Sequence, residues 1–320
     1  MSRVVIVGGS GHVGTYLVPR LVEAGYDVVN VTRGKRSAYT PNASWKAVQT
    51  LVADRVAEDE AGTFGVRIRD LKPDIVIDMI CFTRKSAEQM VSALKGNIQH
   101  FLHAGTIWVH GPSVMTPTTE TQRRTPFGAY GVAKAEIEAY LLDEARRHGF
   151  PATIAHPGHI VGPGWHPLNP AGHFNIKVFE TIARGEELAL PNFGMETIHH
   201  VHADDVAQLF IKAIASPSTS VGEAFHTVSP AALTLRGYAE AMYAWFGREP
   251  KLKFLPWPEW KTAQANEEDA EATLEHITHS PCHSIAKAER LLGFAPRYSS
   301  LEGVCESVTW LINKGQIRVA

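Results

Sequence analysis

Val4-Val5-Ile6-Val7-Gly8-Gly9-Ser10-Gly11-His12-Val13-Gly14 is the stretch that decides the fold. Its first four residues are β-branched and apolar, which is typical of a buried strand. The glycines satisfy two spacings, GxxGxxG from Gly8 and GxGxxG from Gly9, and a helical apolar pattern follows to Ala24. A strand, a glycine turn and a helix in this order predict a pyrophosphate site built from backbone N–H groups and the helix N-terminus. The residues predicted to contact a dinucleotide here are Gly8, Ser10, Gly11, His12, Val13 and Gly14.

Short β-branched runs alternate with helical patterns through the first half of the chain. Strands are predicted at 4–7, 27–32, 75–79, 101–104 and 153–156, and helices at 12–24, 85–94 and 130–147. This alternation predicts βαβ units and therefore an α/β fold, a Rossmann-type doubly wound parallel sheet.

A run of prolines and glycines after Pro157 marks the predicted domain transition. Residues 1–157 are expected to form the dinucleotide-binding Rossmann domain. Residues 158–320 are expected to form mainly a smaller C-terminal α/β substrate lobe, with segments near 197–228 returning to the Rossmann sheet. The acidic stretch 267–275 is interpreted as the solvated face of a helix.

Composition narrows the class of protein. The 31 basic and 33 acidic residues among 320 give a formal net charge of -2, which does not indicate nucleic acid or membrane binding. The three cysteines, Cys81, Cys282 and Cys305, are far apart and show no CxxC spacing, so neither a disulfide framework nor a thiolate metal site is expected. We expect a cytoplasmic protein without a metal.

The residues after the second predicted strand bear on which dinucleotide is bound. A carboxylate there would bind a ribose hydroxyl, whereas a cation would accept a 2′-phosphate. The strand ends at Thr32 and is followed by Arg33, Lys35 and Arg36, so the sequence favours NADP, with NAD possible. A solvated basic loop is the alternative interpretation. Asp54 is placed where it can hold the adenine amino group, or else it caps a helix.

Tyr130 and Lys134 are four residues apart and therefore lie on one face of the predicted helix. An isolated phenol with a pKa near 10 is a poor base, and a neighbouring ammonium stabilises its anion. Tyr130 is then predicted to exchange a proton with a substrate oxygen while a hydride moves at carbon. Thr106, directly after a predicted strand, supplies a hydroxyl to the same oxygen.

In these motifs the chain resembles an extended short-chain dehydrogenase/reductase of the NAD-dependent epimerase/dehydratase family. The resemblance covers essentially the whole length, and includes 105–111, 157–163, 201–207 and 291–296. It implies that Thr106, Tyr130 and Lys134 are the catalytic group and suggests a homodimer through helices such as 85–94 and 130–147. It also places Ile80, Cys81 and Pro157 at the cofactor, and Phe82, His110 and His159 at the substrate.

Departures from the family narrow the expected reaction. Dehydratases of the family carry Asp-Glu after the Ser/Thr, whereas this chain has Ile107 and Trp108, so dehydration is not expected. Ile198 stands where many relatives have an Arg that holds a nucleotide-sugar diphosphate. A small carbohydrate-like substrate without a nucleotide is therefore expected, unless histidines, Arg236 or Arg297 bind the diphosphate.

Three functions remain open from the sequence. The first is an NAD(P)-dependent oxidoreductase that acts on a secondary alcohol or ketone of a sugar-like molecule, and the second is a sugar or nucleotide-sugar epimerase. The third is a noncatalytic protein that binds NADP or associates with RNA. The retained catalytic residues and the near-neutral charge argue against it.

Overall fold

The computed structural model describes residues 1–319 as an α/β protein. The strands are β1 (Arg3–Val7), β2 (Asp27–Thr32), β3 (Gln49–Val52), β4 (Ile75–Asp78), β5 (His100–Ala104), β6 (Ala152–Pro157), β7 (His159–Val161), β8 (Leu188–Pro191), β9 (Thr197–Ile198), β10 (His200–His202), β11 (Ala224–Thr227), β12 (Leu233–Thr234) and β13 (Leu252–Leu255). The helices are α1 (Gly14–Glu23), α2 (Arg55–Glu60), α3 (Phe64–Asp70), α4 (Arg84–Leu94), α5 (Gly128–Arg147), α6 (Lys177–Ala183), α7 (Ala203–Ala215), α8 (Pro217–Ser220), α9 (Leu235–Trp245), α10 (Trp257–Ala263), α11 (Glu267–His279), α12 (Ala286–Leu292) and α13 (Ser300–Asn313). Two short 3₁₀ turns span Ala43–Ala47 and Ile107–His110.

Seven parallel strands form the central sheet in the order β11-β6-β5-β4-β1-β2-β3. Strand β1 pairs with β2 on one side and with β4 on the other, with Val5 opposite both Val29 and Val76. The strand order therefore reverses beside β1. In doubly wound sheets the crevice at the carboxyl ends of the strands next to such a reversal binds the ligand.

Apolar side chains cover both faces of the sheet. One layer packs α1, α7 and α12 against it and includes Leu17 and Phe210, which are fully buried. The opposite layer packs α3, α4 and α5 against it and includes Met90 and Ile137. Burial of each such side chain contributes about 1.5–3 kcal/mol, so these layers fix the strand ends that carry the site.

A third apolar cluster holds the C-terminal lobe together. It includes the fully buried Tyr238, Tyr243 and Trp260, on α9 and α10. Strand β11 lies at the edge of the central sheet beside β6, whereas β10 pairs with β7 and β9 with β12 outside it. Within the part of the chain that the structure describes, no helix has both the length and the apolar character that a membrane crossing needs.

The acidic stretch 267–275 is part of helix α11, and only one of its faces is solvated. The opposite face buries Ala270, Thr273, His276 and His279. The acidic residues dominate the composition of this segment and hide the 3.6-residue repeat of the buried positions. The strand β3 and the helix α3 are absent from the sequence-based prediction, because their apolar runs are short. The helix α2 was predicted only as the alternative in which Asp54 caps a helix.

Candidate active site

The glycine turn after β1 has the close packing that only glycines allow. A Cβ added to Gly14 would lie 1.9 Å from the carbonyl oxygen of Gly9, so α1 can begin this close to the strand only without a side chain. A Cβ on Gly11 would meet only the carbonyl oxygen of Gly8, at 3.3 Å, and otherwise enter open space. The turn therefore leaves a cradle in front of α1 that fits the pyrophosphate of a dinucleotide.

A cavity of about 430 Å³ lies between this turn and the ends of β2 and β3. We call it the basic cavity, because Arg33, Lys35 and Arg36 line one side of it. The rest of its wall consists of Val7, Gly8, Ser10, Gly11, Val31, Thr32, Ala53, Asp54, Arg55, Val56, Phe64, Ile80 and Phe82. No carboxylate follows β2 in it, so three cations face the place where the cofactor's adenosine ribose is expected.

Asp54 has a structural role as well as a place in the basic cavity. Its Oδ1 accepts hydrogen bonds from the backbone N–H groups of Val56, at 3.1 Å, and Ala57, at 3.4 Å, and so caps α2. Ser10 accepts a 2.9 Å hydrogen bond from the Asn30 amide, which ties the glycine turn to β2. Sequence reasoning placed both residues at the cofactor, and both line the basic cavity.

Tyr130 and Thr106 meet at the mouth of a second cavity. Thr106 lies two residues after β5, and its hydroxyl accepts a 3.3 Å hydrogen bond from the Trp108 N–H. Desolvation raises the pKa of the Tyr130 phenol above its usual value, and the neighbouring Thr106 hydroxyl opposes this shift more weakly, so the phenol is protonated at neutral pH.

Lys134 lies one helical turn below Tyr130 and is almost completely buried. Its ammonium donates hydrogen bonds to the carbonyl oxygens of Cys81, at 2.7 Å, and Ala104, at 2.9 Å. It also lies 6.0 Å from the centre of the Tyr130 ring and 4.8 Å from that of Phe82. Burial lowers the pKa of Lys134 to about 8, so the ammonium prevails at neutral pH.

The cavity beside Tyr130 has a volume of about 600 Å³, and we call it the central cavity. It shares Gly8, Gly11, Arg36 and Ile80 with the basic cavity, so one elongated molecule can occupy both. The remaining residues of its wall are His12, Val13, Gly14, Tyr39, Met79, Thr106, Ile107, Trp108, Tyr130, Gly158, His159, Ile160, Trp165, Phe174, Ala272, Glu275 and His276.

Four residues predicted to contact the cofactor or the substrate do not line the cavity expected of them. Cys81 is buried behind the wall of the central cavity, and its carbonyl oxygen accepts a hydrogen bond from Lys134. Pro157 does not line the central cavity, whereas the next residue, Gly158, does. Phe82 lines the basic cavity rather than the central one. His110 is 3 % exposed and lies outside both cavities, because the 3₁₀ turn after Thr106 directs it into the protein interior.

His110 belongs to a buried histidine group with His156 and His226, whose ring nitrogens lie within 4.8 Å of one another. His226 Nδ1 is 3.0 Å from the carbonyl oxygen of Ser284 and therefore donates to it. Its Nε2 must then accept from His110 Nε2, at 2.8 Å. His156 Nε2 lies 2.6 Å from Glu138, and this contact lowers the pKa of the Glu138 carboxyl to about 2 despite its burial. One set of tautomers thus satisfies the contacts of His110 and His226 without an ion.

Helix α11 contributes residues that sequence reasoning missed. Ala272, Glu275 and His276 line the central cavity, and Trp165 and Phe174 reach it from the loop after β7. The spacing of 272, 275, 276 and 279 on one helix face was the available signal. Nothing in the sequence indicates that this face meets the cavity, because the contact joins residues more than 100 positions apart.

Comparisons with known proteins agree with this geometry. A family model described as the NAD dependent epimerase/dehydratase family matches residues 4–226. The 2'-dehydrokanamycin reductase of Streptomyces kanamyceticus is 26% identical over 318 residues, which are 98% of this chain and 86% of that protein. The UDP-glucose 4-epimerase of Thermotoga maritima, solved with UDP-glucose, has a TM-score of 0.74 at 20% identity, covering 98% of this chain and 99% of its own. The UDP-glucuronic acid 4-epimerase of Bacillus cereus, solved with NAD, has a TM-score of 0.73 at 16% identity, covering 98% and 99%. At these identities the solved structures establish a common fold.

Proposed function

The chain belongs to the NAD dependent epimerase/dehydratase family, and from this premise we propose that it catalyses one net hydride transfer between NADP(H) and a sugar-like substrate. It is an NAD(P)-dependent enzyme of the extended short-chain dehydrogenase/reductase type, in a family that includes sugar oxidoreductases and epimerases.

The roles of the catalytic residues follow from their protonation and contacts. A bound nicotinamide dinucleotide supplies or accepts the hydride. Tyr130, whose raised pKa keeps it protonated, donates its phenolic proton to the carbonyl oxygen of the substrate, and the reverse transfer serves alcohol oxidation. Thr106 holds the same oxygen with its hydroxyl. Lys134 keeps a positive charge near the phenol and joins the ends of β4 and β5.

The observation that carries the substrate proposal is the scarcity of cations around Tyr130. Arg36 is the single Arg or Lys that lines the central cavity in the described structure, and it also lines the basic cavity. Arg236 pairs with Glu240, and Arg297 lies beside Asp204 and Tyr298, both away from the central cavity. A substrate diphosphate would therefore have no cation of its own, which supports a compact substrate without a nucleotide.

The preference for NADP is supported by the basic cavity. Arg33, Lys35 and Arg36 can surround a 2′-phosphate, and charge-assisted hydrogen bonds of this kind are the strong ones. Thr32 cannot bind a ribose diol as a carboxylate does.

The experiment is a screen of free sugars, sugar acids, lactones and their keto forms, with the reduced nicotinamide absorbance as the readout. We expect a stoichiometric change in NADPH with at least one of these compounds. Uridine and thymidine diphosphates are titrated in parallel against the NADP complex and are expected to bind poorly. Micromolar binding of a nucleoside diphosphate would contradict the compact substrate and favour a nucleotide-sugar epimerase. Isomerisation of a sugar without net change in NADPH would establish an epimerase.

We also propose a homodimer through α4 and α5. Within one chain these helices pack side by side, and Lys95 at the end of α4 donates a 2.8 Å hydrogen bond to Glu144 of α5, so the two helices can present one common surface to a second subunit. Light scattering of the purified protein tests this directly, and a monomeric mass would exclude it.

A further inference from the structure

Three stacked rings hold helix α11 over the beginning of α5. The His279 imidazole lies between the indole of Trp108, with ring centres 4.1 Å apart, and the ring of Phe127, at 4.0 Å. Positions three, four and seven residues earlier share this face of the helix. The stack therefore orients Glu275 and His276 into the central cavity.

The carboxylate of Glu275 lies over the first turn of the catalytic helix. A Cβ added to Gly128 would be 3.0 Å from Glu275 Oε1, and Gly128 is two residues before Tyr130. Glu275 makes no hydrogen bond or ion pair with any side chain among residues 1–319, and partial burial alone raises the pKa of its carboxyl. A carboxylate that loses water without gaining a partner is destabilising, and closure over a substrate increases this cost.

The rest of the wall favours a cation over an anion. The side chains of Trp108, Trp165 and Phe174 surround the cavity, and aromatic faces attract cations. Arg36, at the junction with the basic cavity, faces the cofactor's phosphates in the proposed function. Glu275 is thus the one carboxylate in the wall among the described residues, and Arg36, the one Arg or Lys there, forms no ion pair with it.

We propose that the substrate of this site carries a protonated amine, and that Glu275 accepts hydrogen bonds from that ammonium while the carbonyl to be reduced faces Tyr130. The substrate class is therefore an amino-bearing sugar or polyol. This inference rests on the proposed function, because it assigns the substrate of the same cavity.

The test compares three probes that differ at one position, glucosamine, N-acetylglucosamine and glucose, by calorimetry against the NADP complex. The proteins are the wild type, Glu275→Gln and the control Glu271→Gln, which is exposed one turn earlier on α11. A charged hydrogen bond predicts that the wild type and Glu271→Gln bind glucosamine about tenfold or more tighter than either neutral probe. In Glu275→Gln this preference is expected to disappear, while NADP binding stays unchanged and the melting temperature does not fall, which shows that the variant is folded.

Several outcomes would overturn the inference: no glucosamine binding to the wild type, equal binding of the three probes, or a preference that survives in Glu275→Gln. The proposed function fails on different grounds. Tyr130-dependent turnover of neutral ketoses without any amine preference would remove the inference and leave the oxidoreductase standing. Selective amine binding without any cofactor-dependent turnover would exclude the oxidoreductase and leave the amine site standing.

Discussion

The ammonium of Lys134 donates a 2.7 Å hydrogen bond to the backbone carbonyl oxygen of Cys81. With its second bond, to Ala104, the lysine links the segments that follow β4 and β5, where the cofactor and Tyr130 are expected to meet. Lys134 is therefore a structural residue of the site as well as a source of positive charge near the phenol.

Replacement of this lysine should damage more than one step. In Lys134→Ala the buried carbonyl oxygen of Cys81 and the partly buried one of Ala104 lose their donor, at a cost of about 1–3 kcal/mol for a buried group left unsatisfied. We expect a lower melting temperature, weaker NADPH binding and lower turnover together. The control is Lys95→Ala, which removes a half-exposed pair with Glu144 and should change little. Normal cofactor affinity in Lys134→Ala would show that the bridge does not organise the site.

Removal of the Tyr130 hydroxyl should separate binding from chemistry. Tyr130→Phe keeps the ring beside Trp108, at 5.9 Å between centres, so NADPH affinity is expected to stay near that of the wild type. Turnover should fall by about 10²–10⁴-fold, the usual contribution of a general acid. Tyr140→Phe, about ten residues further along α5 and away from the cavity, serves as the control in steady-state kinetics. A loss smaller than about tenfold would assign the proton transfer to another group.

The cations of the basic cavity should distinguish the two cofactors. Arg33→Ala is expected to weaken NADPH binding by about tenfold or more and to leave NADH binding nearly unchanged, because only NADPH carries the 2′-phosphate. Calorimetry with both cofactors provides the measurement, and Lys46→Ala, an exposed cation outside the cavity, is the control. Tighter NADH than NADPH binding by the wild type would contradict the assignment.

Two glycines of one turn should respond differently to alanine. At Gly11 the new methyl meets only the Gly8 carbonyl oxygen at 3.3 Å and enters the cradle, so Gly11→Ala should fold and lose most cofactor affinity. At Gly14 the methyl would lie 1.9 Å from the Gly9 carbonyl oxygen, so Gly14→Ala should lose stability in the absence of cofactor. Melting temperatures and NADPH titrations of both variants check this contrast. Equal stability of the two would show that the turn relaxes.

Stability should fall as the pH is lowered below about 6.5. Burial lowers the pKa of His12, His100, His199 and His276 to about 4, whereas each titrates near 6.5 when unfolded. Between these values the unfolded chain binds more protons, so each histidine removes about 1.4 kcal/mol of stability per pH unit until its folded pKa is reached.

Urea titrations across this pH range measure the effect. His100→Gln should reduce the slope of stability against pH, while His166→Gln, on the exposed surface, should leave it unchanged. A slope near zero between about pH 6.5 and 5 would show that these imidazoles gain protons in the folded protein.

The sequence by itself determined every strand of the first-half sheet except β3, the glycine turn, and the grouping of Tyr130, Lys134 and Thr106. These features depend on local order: a strand runs directly into the turn, two residues share one helix face, and a hydroxyl follows a strand. The basic residues after β2 were visible for the same reason, since the end of that strand lies beside the turn in any doubly wound sheet. Short-range patterns carry such information because periodicity and turn chemistry act within a few residues.

The tertiary structure alone decided which side chains surround Tyr130. His110 is two residues from Trp108 in sequence, yet it turns into the interior and hydrogen-bonds with His226. Glu275 and His276 line the cavity beside Tyr130, although they follow it by more than 140 residues. The stack of Trp108, His279 and Phe127 brings that helix to the site. Such contacts depend on the packing of whole elements, and the energy that selects them is shared among many distant apolar residues, so no local pattern encodes them.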